Sequence, residues 1–578
     1  MNTKQIPLIA YLLLFISLSV FFSCHSDGGS SGTLKIRIAG EPDYIHPMLS
    51  KSPVSRQVER NIFLKLMDFD PVTLALTPML AESQPSVERI DTGLYKGSVA
   101  YTYQIRKEAK WDNGSDVTSF DCLYALKAAL LPDVNAKSWR DLLSHYKDIL
   151  VDSSQPKKIT MIVDGNYLLS DAIAGNFEVY PEYHYDPQHT LRAYSFTDLL
   201  HYNEKSKIAS DSVKLRDYAD KINGSVLGRD SIAGCGPYTL DRWEANKILV
   251  LKRKNNWWGD QIKNAPKVLS AYPGEIDFIV LPDDAASLAE FRSGNIDIMS
   301  GVPADQFETL KKEGRYQYFT PQVMQYFYIP INSKNPILAD IKVRKALARL
   351  LDIDAIIKNL FKGYAKRITG PVMPDRPYYD QSLTPIGFDP SEARKLLSEA
   401  GWKDVNGDGI LDGNGTGKTE PLKLKLITTQ KKLGKDLALI FKDEAAKAGI
   451  DIEIESLEGA AFMKALKSGE YDLANLSNTQ YPGENTDLTN NWNSENTPPK
   501  GSNFTGFGGK GSDDILTEIN NTKDQHKRFE LYKTFQKIVY DNQPAIFLFM
   551  PLERIVAQKK LDVVPTLLAP GYVESLIK

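Results

Sequence analysis

Residues 422–476 read LKLKLITTQKKLGKDLALIFKDEAAKAGIDIEIESLEGAAFMKALKSGEYDLANL, and their periodicity sets the fold class. Leu422-Lys423-Leu424-Lys425-Leu426-Ile427 and Ile450-Asp451-Ile452-Glu453-Ile454-Glu455 alternate apolar and charged side chains, the period of a strand with one buried face. Between them, residues 435–448 carry a helical run closed by Gly449, a residue suited to the left-handed position after a helix. A short helix over Ala461 to Leu466 follows, with Gly469 after its polar turn, and then a strand candidate from Tyr471 to Leu476. The order β-α-β-α-β implies parallel strands joined by right-handed crossovers. Ligands of open α/β sheets sit beyond the carboxyl ends of the strands, so the segment after Leu476 becomes a candidate cleft wall.

Working outward, Leu34-Lys35-Ile36-Arg37-Ile38 alternates as a strand, and residues 56–66 predict a helix with Val58, Ile62, Phe63 and Leu66 on one face. Tyr101 to Ile105 is strand-like, and Ser119 to Leu131 predicts a helix with Ser119 as its N-cap. Residues 152–221 are polar and give no assignment. A chain of 578 residues exceeds one hydrophobic core, so two or three domains are expected. The net charge of −3 lacks the basic excess of a nucleic-acid binder. There is no Gly-x-Ser-x-Gly elbow and no His-Glu-x-x-His, and the seven histidines have no metal spacing, which argues against a hydrolase. The three cysteines, Cys24, Cys122 and Cys235, form no CxxC pair; Cys122 and Cys235 are available for a disulfide in an oxidising compartment.

The chain starts with an export signal. Lys4 precedes an apolar run from Ile6 to Phe22, then Ser23, Cys24 and a Gly/Ser spacer to Gly32. The pattern resembles a bacterial lipoprotein signal, in which residues 1–23 are removed and Cys24 is acylated, with residues 24–32 as tether. Phe21 departs from the usual Leu of that signal. The alternative is an uncleaved anchor, since the run is close to the ~20 residues that span a bilayer. Either reading puts the remainder outside the cytoplasm, in the periplasm or cell envelope and held to a membrane.

A series of short motifs then appears in order along the mature chain. They include Gly40-Glu41-Pro42, Thr77-Pro78-Met79-Leu80-Ala81-Glu82-Ser83, residues 103–114 ending Lys110-Trp111-Asp112-Asn113-Gly114, Val117-Thr118-Ser119-Phe120-Asp121, and Gly234-Cys235-Gly236-Pro237-Tyr238. Residues 253–259, 292–297, 340–352 and 388–402 continue the series. Together they resemble the family 5 extracellular solute-binding proteins of ABC importers, which include peptide- and oligopeptide-binding proteins. The resemblance implies an α/β, two-lobed periplasmic-binding-protein fold with an extra inserted domain. Lobe 1 would comprise residues 33–55, 206–281 and 550–578, the inserted subdomain residues 56–205, and lobe 2 residues 282–549. The chain would cross between lobes near Leu281-Pro282 and near Phe549-Met550. The implied function is ligand capture by lobe closure and delivery to a permease, by a monomer with no cofactor and no catalysis. A rival reading is a sensor lipoprotein of the same fold with a non-peptide ligand and no importer.

The resemblance also directs attention to ligand residues. Lys51, Ser52 and Pro53 stand where family members present the first lobe's cleft edge. Trp139, Tyr146, Tyr326 and Tyr328 are candidate apolar walls, with core packing the competing explanation. Asn478, Thr479, Gln480 and Tyr481 follow the last strand, where peptide-binding members carry an aspartate for the ligand's ammonium. Gln480 occupies that position and cannot supply a charge-assisted bond, so a preference for a free peptide amine is not expected. Separately, Asp404, Asn406, Asp408, Ile410 and Asp412 have the spacing of an EF-hand-like calcium loop, with Gly409 at its sharp turn. Gly415 stands where the bidentate acid of a Ca2+ site belongs.

Overall fold

The computed structural model describes residues 31–202, 211–413 and 420–578. The export segment, including Cys24, lies outside them. The opening strand Ser31–Ile38 pairs in parallel with Pro273–Val280 along its length and touches Ile298–Met299 in parallel at Ile36↔Ile298. Seven strands make this sheet, in the order Tyr238–Glu244, Ile248–Arg253, Pro273–Val280, Ser31–Ile38, Ile298–Met299, Ile555–Ala557, Gln317–Phe319. It is the frame of the first lobe.

The first crossing therefore does not fall at Leu281-Pro282. After Pro282 the chain makes the helix Asp284–Arg292, turns through Gly294 (φ +82°), and re-enters the same sheet. Asp297 fastens the return, its Oδ2 accepting the Lys35 amide at 3.0 Å. Residues 282–319 thus belong to the first lobe. The chain leaves at about residues 320–324 and returns after Ala545–Pro551. At that point an antiparallel bridge Gln322↔Leu552 sets the two connecting segments side by side.

The inserted region carries a second sheet, Ser86–Arg89, Ser98–Gln104, Lys158–Asp164 and Tyr146–Val151. Its interior is continuous with that of the large sheet: Ile36, Ile276, Tyr103, Tyr146 and Ile159 share one core. Residues 152–221, unassigned from sequence, hold the strand Lys158–Asp164 and the helices Ser170–Gly175 and Ser212–Asn223. The helix Ser119–Leu130 is capped by Thr118 rather than Ser119. Asp121 Oδ2 reaches back to the Thr118 amide and hydroxyl at 2.8 and 2.9 Å. Gly234 and Gly236 pass so close to Ile62 that a Cβ would lie 2.2 and 2.6 Å from its carbonyl oxygen.

In the second lobe, Lys423–Thr429 lies between Asp451–Leu457 and Leu473–Ala474, all parallel, as the alternation predicted. Lys432–Ala446 and Gly459–Ser468 are the crossover helices, closed by Gly449 and Gly469 at positive φ. The strand expected over Tyr471 to Leu476 splits. Leu473–Ala474 stays in this sheet, while Leu476–Thr479 turns into a four-stranded antiparallel sheet beside Gln325–Pro330, Ala545–Pro551 and Ala365–Arg367. That bend delivers residues 480–483 to the seam between the lobes.

Candidate functional site

Gln480 follows immediately on Leu476–Thr479, and its amide donates to Met324 O at 2.9 Å, beside the first crossing segment. Its side chain is turned inward and buried. Nε2 donates to Pro371 O at 2.5 Å, while Oε1 is buried without a partner. Tyr481 points the other way and crosses the seam. Its ring meets Phe69 of the first lobe edge-on, centroids 5.1 Å apart at 89°, and its hydroxyl lies 3.4 Å from Asn176 Oδ1. Burial pushes the Tyr481 hydroxyl's pKa up, and nearby Lys65 opposes that.

The backbone carrying Tyr481 is fixed by Arg376, a buried guanidinium that donates to Tyr481 O and Gly483 O, each at 2.7 Å. Around it, Glu484 is engaged by Gln525, and Asp487 Oδ1 accepts the Thr489 amide at 2.8 Å. Asp487 lies close enough to His145 and Tyr167 of the inserted region to act on their titration, so this second-lobe carboxylate faces the first lobe.

On the first lobe's wall, Lys65 Nζ lies 3.3 Å from Asp68 Oδ1, 3.4 Å from Glu178 Oε1 and 3.3 Å from Asn176 Oδ1. Burial disfavours the Lys65 charge, but Asp68 and Glu178 outweigh it and raise the ammonium's pKa. Glu59 is 5% exposed; its Oε2 accepts from Ser50 Oγ at 3.0 Å and its Oε1 has no partner. Burial first, and then the Glu178 carboxylate, push Glu59 up to about 8.

The other sequence candidates divide. Lys51 and Ser52 donate their amides to Asp43 at 2.9 and 3.3 Å. Ser52 caps the helix Pro53–Ile62, its Oγ accepting from Val54 N, and Pro53 takes the first helical position. Lys51 and Pro53 are exposed, at the edge next to Ser50. Three of the four aromatic candidates, Tyr146, Tyr326 and Tyr328, are core residues. Tyr326 and Tyr328 occupy the core face of their strand, packed with Phe547 and Trp492. Tyr146 is 1% exposed and donates to Ile173 O, and Trp139 Nε1 donates to Pro47 O. The three tyrosines are consumed by packing, while Trp139 is half-buried. Asn478 is half-buried opposite Tyr326, and Thr479 is exposed opposite Gln325.

Sequence reasoning missed Phe69, Asn176, Lys65, Glu178, Glu59 and Arg376. Glu59 had a signal: with Ser55, Val58 and Ile62 it lies on the buried stripe of its helix, an apolar-face position holding a carboxyl. Cys122 and Cys235 are both buried free thiols rather than a disulfide. In the Asp404–Asp412 loop, Asp404 accepts from Gly407 N and Gly409 N, Asp408 from Ile410 N, and Asp412 from Val405 N. Its acidic groups serve the loop's own turns, and Gly415 lies outside the described residues. Among the described residues no group of three or more His, Cys, Asp or Glu side chains is gathered as for a metal ion, and no helix is long and apolar enough to cross a membrane.

Two lobes, joined by two bridged segments and meeting at residues 480–483, form an architecture for enclosing a solute. The model of the bacterial extracellular solute-binding proteins, family 5 (middle region), matches residues 75–500. The chain belongs to that family. It is similar to the oligopeptide-binding protein AppA of Bacillus subtilis, 24% identical over 97% of this chain and 96% of that one. It also resembles the periplasmic oligopeptide-binding protein OppA of Escherichia coli, 24% identical over 83% and 79%. Among solved structures, NikA of Brucella suis in complex with Fe(III)-EDTA superposes with a TM-score of 0.74 at 20% identity, covering 95% of this chain and all of that one. That likeness speaks to the two-lobed α/β fold alone.

Proposed function

We propose that this family 5 protein captures a peptide or peptide-like solute between its lobes and hands it unaltered to the permease of an ABC importer. The observation that carries the reading is the seam itself. Residues 478–481 extend from one lobe toward Lys65, Phe69 and Asn176 of the other, with the two crossing segments bridged beside them. Bending at such a pair of connections opens and closes a cleft. The oligopeptide-binding relatives, matched over nearly the full chain, support a peptide-like ligand. Gln480, where peptide-binding members of the family carry an aspartate, argues that this position does not read a ligand ammonium. Acylation at Cys24 would hold a monomeric binder to the membrane beside its permease. Calorimetric titration with trialanine and N-acetyl-trialanine tests the reading. Comparable affinities for the two are expected; no binding of either, alone or from a peptide digest, would refute a peptide ligand.

A further inference from the structure

The inserted region holds a cavity of about 520 Å³, within the size range of small-molecule sites. Every residue lining it falls between Trp111 and Arg192, so none is among the residues at the 480–483 seam. Half-buried Phe120, Leu123 and Tyr183 give it apolar walls, and the exposed side chains of His189 and Arg192 mark its mouth. Its three acids are already engaged. Asp116 pairs with Lys110 at 2.7 Å and Lys157 at 3.6 Å. Asp121 accepts the Thr118 amide and hydroxyl, Trp111 Nε1 at 3.3 Å and the Glu182 amide at 3.3 Å. Buried Glu182 takes Arg192 Nε on both oxygens, each at 2.9 Å. The ammonium of Lys127, also lining the cavity, is different. It is 7% exposed, donates to Leu191 O at 3.2 Å, and makes no ion pair among the described residues. An ammonium has three donors, so two of these remain to be met. Burial pushes the Lys127 pKa down, opposed by Glu182 and then Asp198.

A buried ammonium held by a single carbonyl is costly, and an anion that reaches it supplies the missing partner. We propose that this cavity is a second ligand site, separate from the interlobe cleft, for a small monocarboxylate with an aromatic or branched apolar tail. The carboxylate accepts from Lys127 Nζ, and the tail lies against Phe120, Leu123 and Tyr183. Both halves of the ligand are needed. A bare inorganic anion would leave the apolar walls uncovered, and a neutral molecule would leave the Lys127 charge as it stands. Because the lining comes from the inserted region alone, occupancy here does not require the lobes to close.

Calorimetric titration of the full chain with 3-phenylpropionate tests the site. The neutral 3-phenylpropan-1-ol and inorganic phosphate serve as controls for the charge and for the tail. The wild type is compared with Lys127→Met, which keeps an unbranched apolar stem and removes the ammonium, and with Leu123→Trp, which enlarges a wall residue into the cavity. 3-Phenylpropionate should bind the wild type at one site, and both controls should bind about tenfold more weakly or worse. Lys127→Met should weaken 3-phenylpropionate by about tenfold or more, the scale of a lost hydrogen bond between charged groups. Leu123→Trp should weaken it as well while leaving Lys127 in place, so it reports on the cavity even if Lys127→Met fails to fold. Three results would overturn the proposal: no binding to the wild type, an affinity unchanged in either variant, or a control binding as tightly as 3-phenylpropionate. An unchanged affinity in both variants would move the carboxylate to the interlobe cleft.

Discussion

Replacing Glu59 by Gln should change how stability depends on pH, in a direction the structure dictates. Burial, then Glu178, lift this carboxyl from 4.5 to about 8, with the Ser50 hydroxyl opposing. The folded state therefore holds a proton that the unfolded chain has already released above pH 4.5. Stability is fullest below that value and is lost as pH rises through about 8. The full span corresponds to about 5 kcal/mol at 1.36 kcal/mol per pH unit, and the part between about pH 6 and about pH 8 to about 2–3 kcal/mol. Glu59→Gln keeps the Ser50 contact and cannot ionise. Urea unfolding at the two pH values, for wild type and variant, isolates the group because all other titrations are common to both. The wild type should lose about 2–3 kcal/mol more than the variant on going to the higher pH. Identical pH dependence in the two proteins would refute the reasoning, since it would mean that Glu59 is ionised in the folded state.

Tyr481→Ala removes the ring that meets Phe69 and the hydroxyl beside Asn176, so the ligand-free protein should populate a more open form, seen as a larger radius of gyration; an unchanged radius would count against a latch at this position. Arg376→Leu strands the Tyr481 and Gly483 carbonyls. It should cost about 2–4 kcal/mol in chemical unfolding, with ligand affinity falling as well, whereas a loss below ~1 kcal/mol would show the loop to be held by other contacts. Cys24→Ser should leave the protein released or unprocessed, measured by fractionation and intact mass; unchanged membrane attachment with an unchanged mass would rule out the lipid.

The parallel unit at residues 422–476 was legible because alternation and glycine stops are local signals, and Gly449 and Gly469 take the positive φ the sequence predicted. The crossing point was not. Ile298-Met299 is a two-residue strand, too short for any periodicity, and its pairing with Ile36 on one side and Val556-Ala557 on the other shows which lobe owns it. The same limit explains the aromatic candidates: Tyr326 and Tyr328 alternate as a strand should, but which face is interior depends on Trp492 and Phe547, more than 160 residues downstream. Gln480 and Tyr481 were found through their place after a strand. The first-lobe partners of Tyr481, Asn176 and Phe69, lie some 300 and 400 residues away in sequence.

Solution scattering combined with native mass spectrometry tests capture by closure most directly. The protein is measured alone and after incubation with a tryptic peptide digest, and the bound species is then released and weighed. Capture by closure predicts one ligand per chain, recovered with its mass unchanged, and a smaller radius of gyration in the bound form than in the ligand-free Tyr481→Ala variant. A bound species recovered as cleaved fragments, or saturation with no difference in radius between that open variant and the complex, would contradict it.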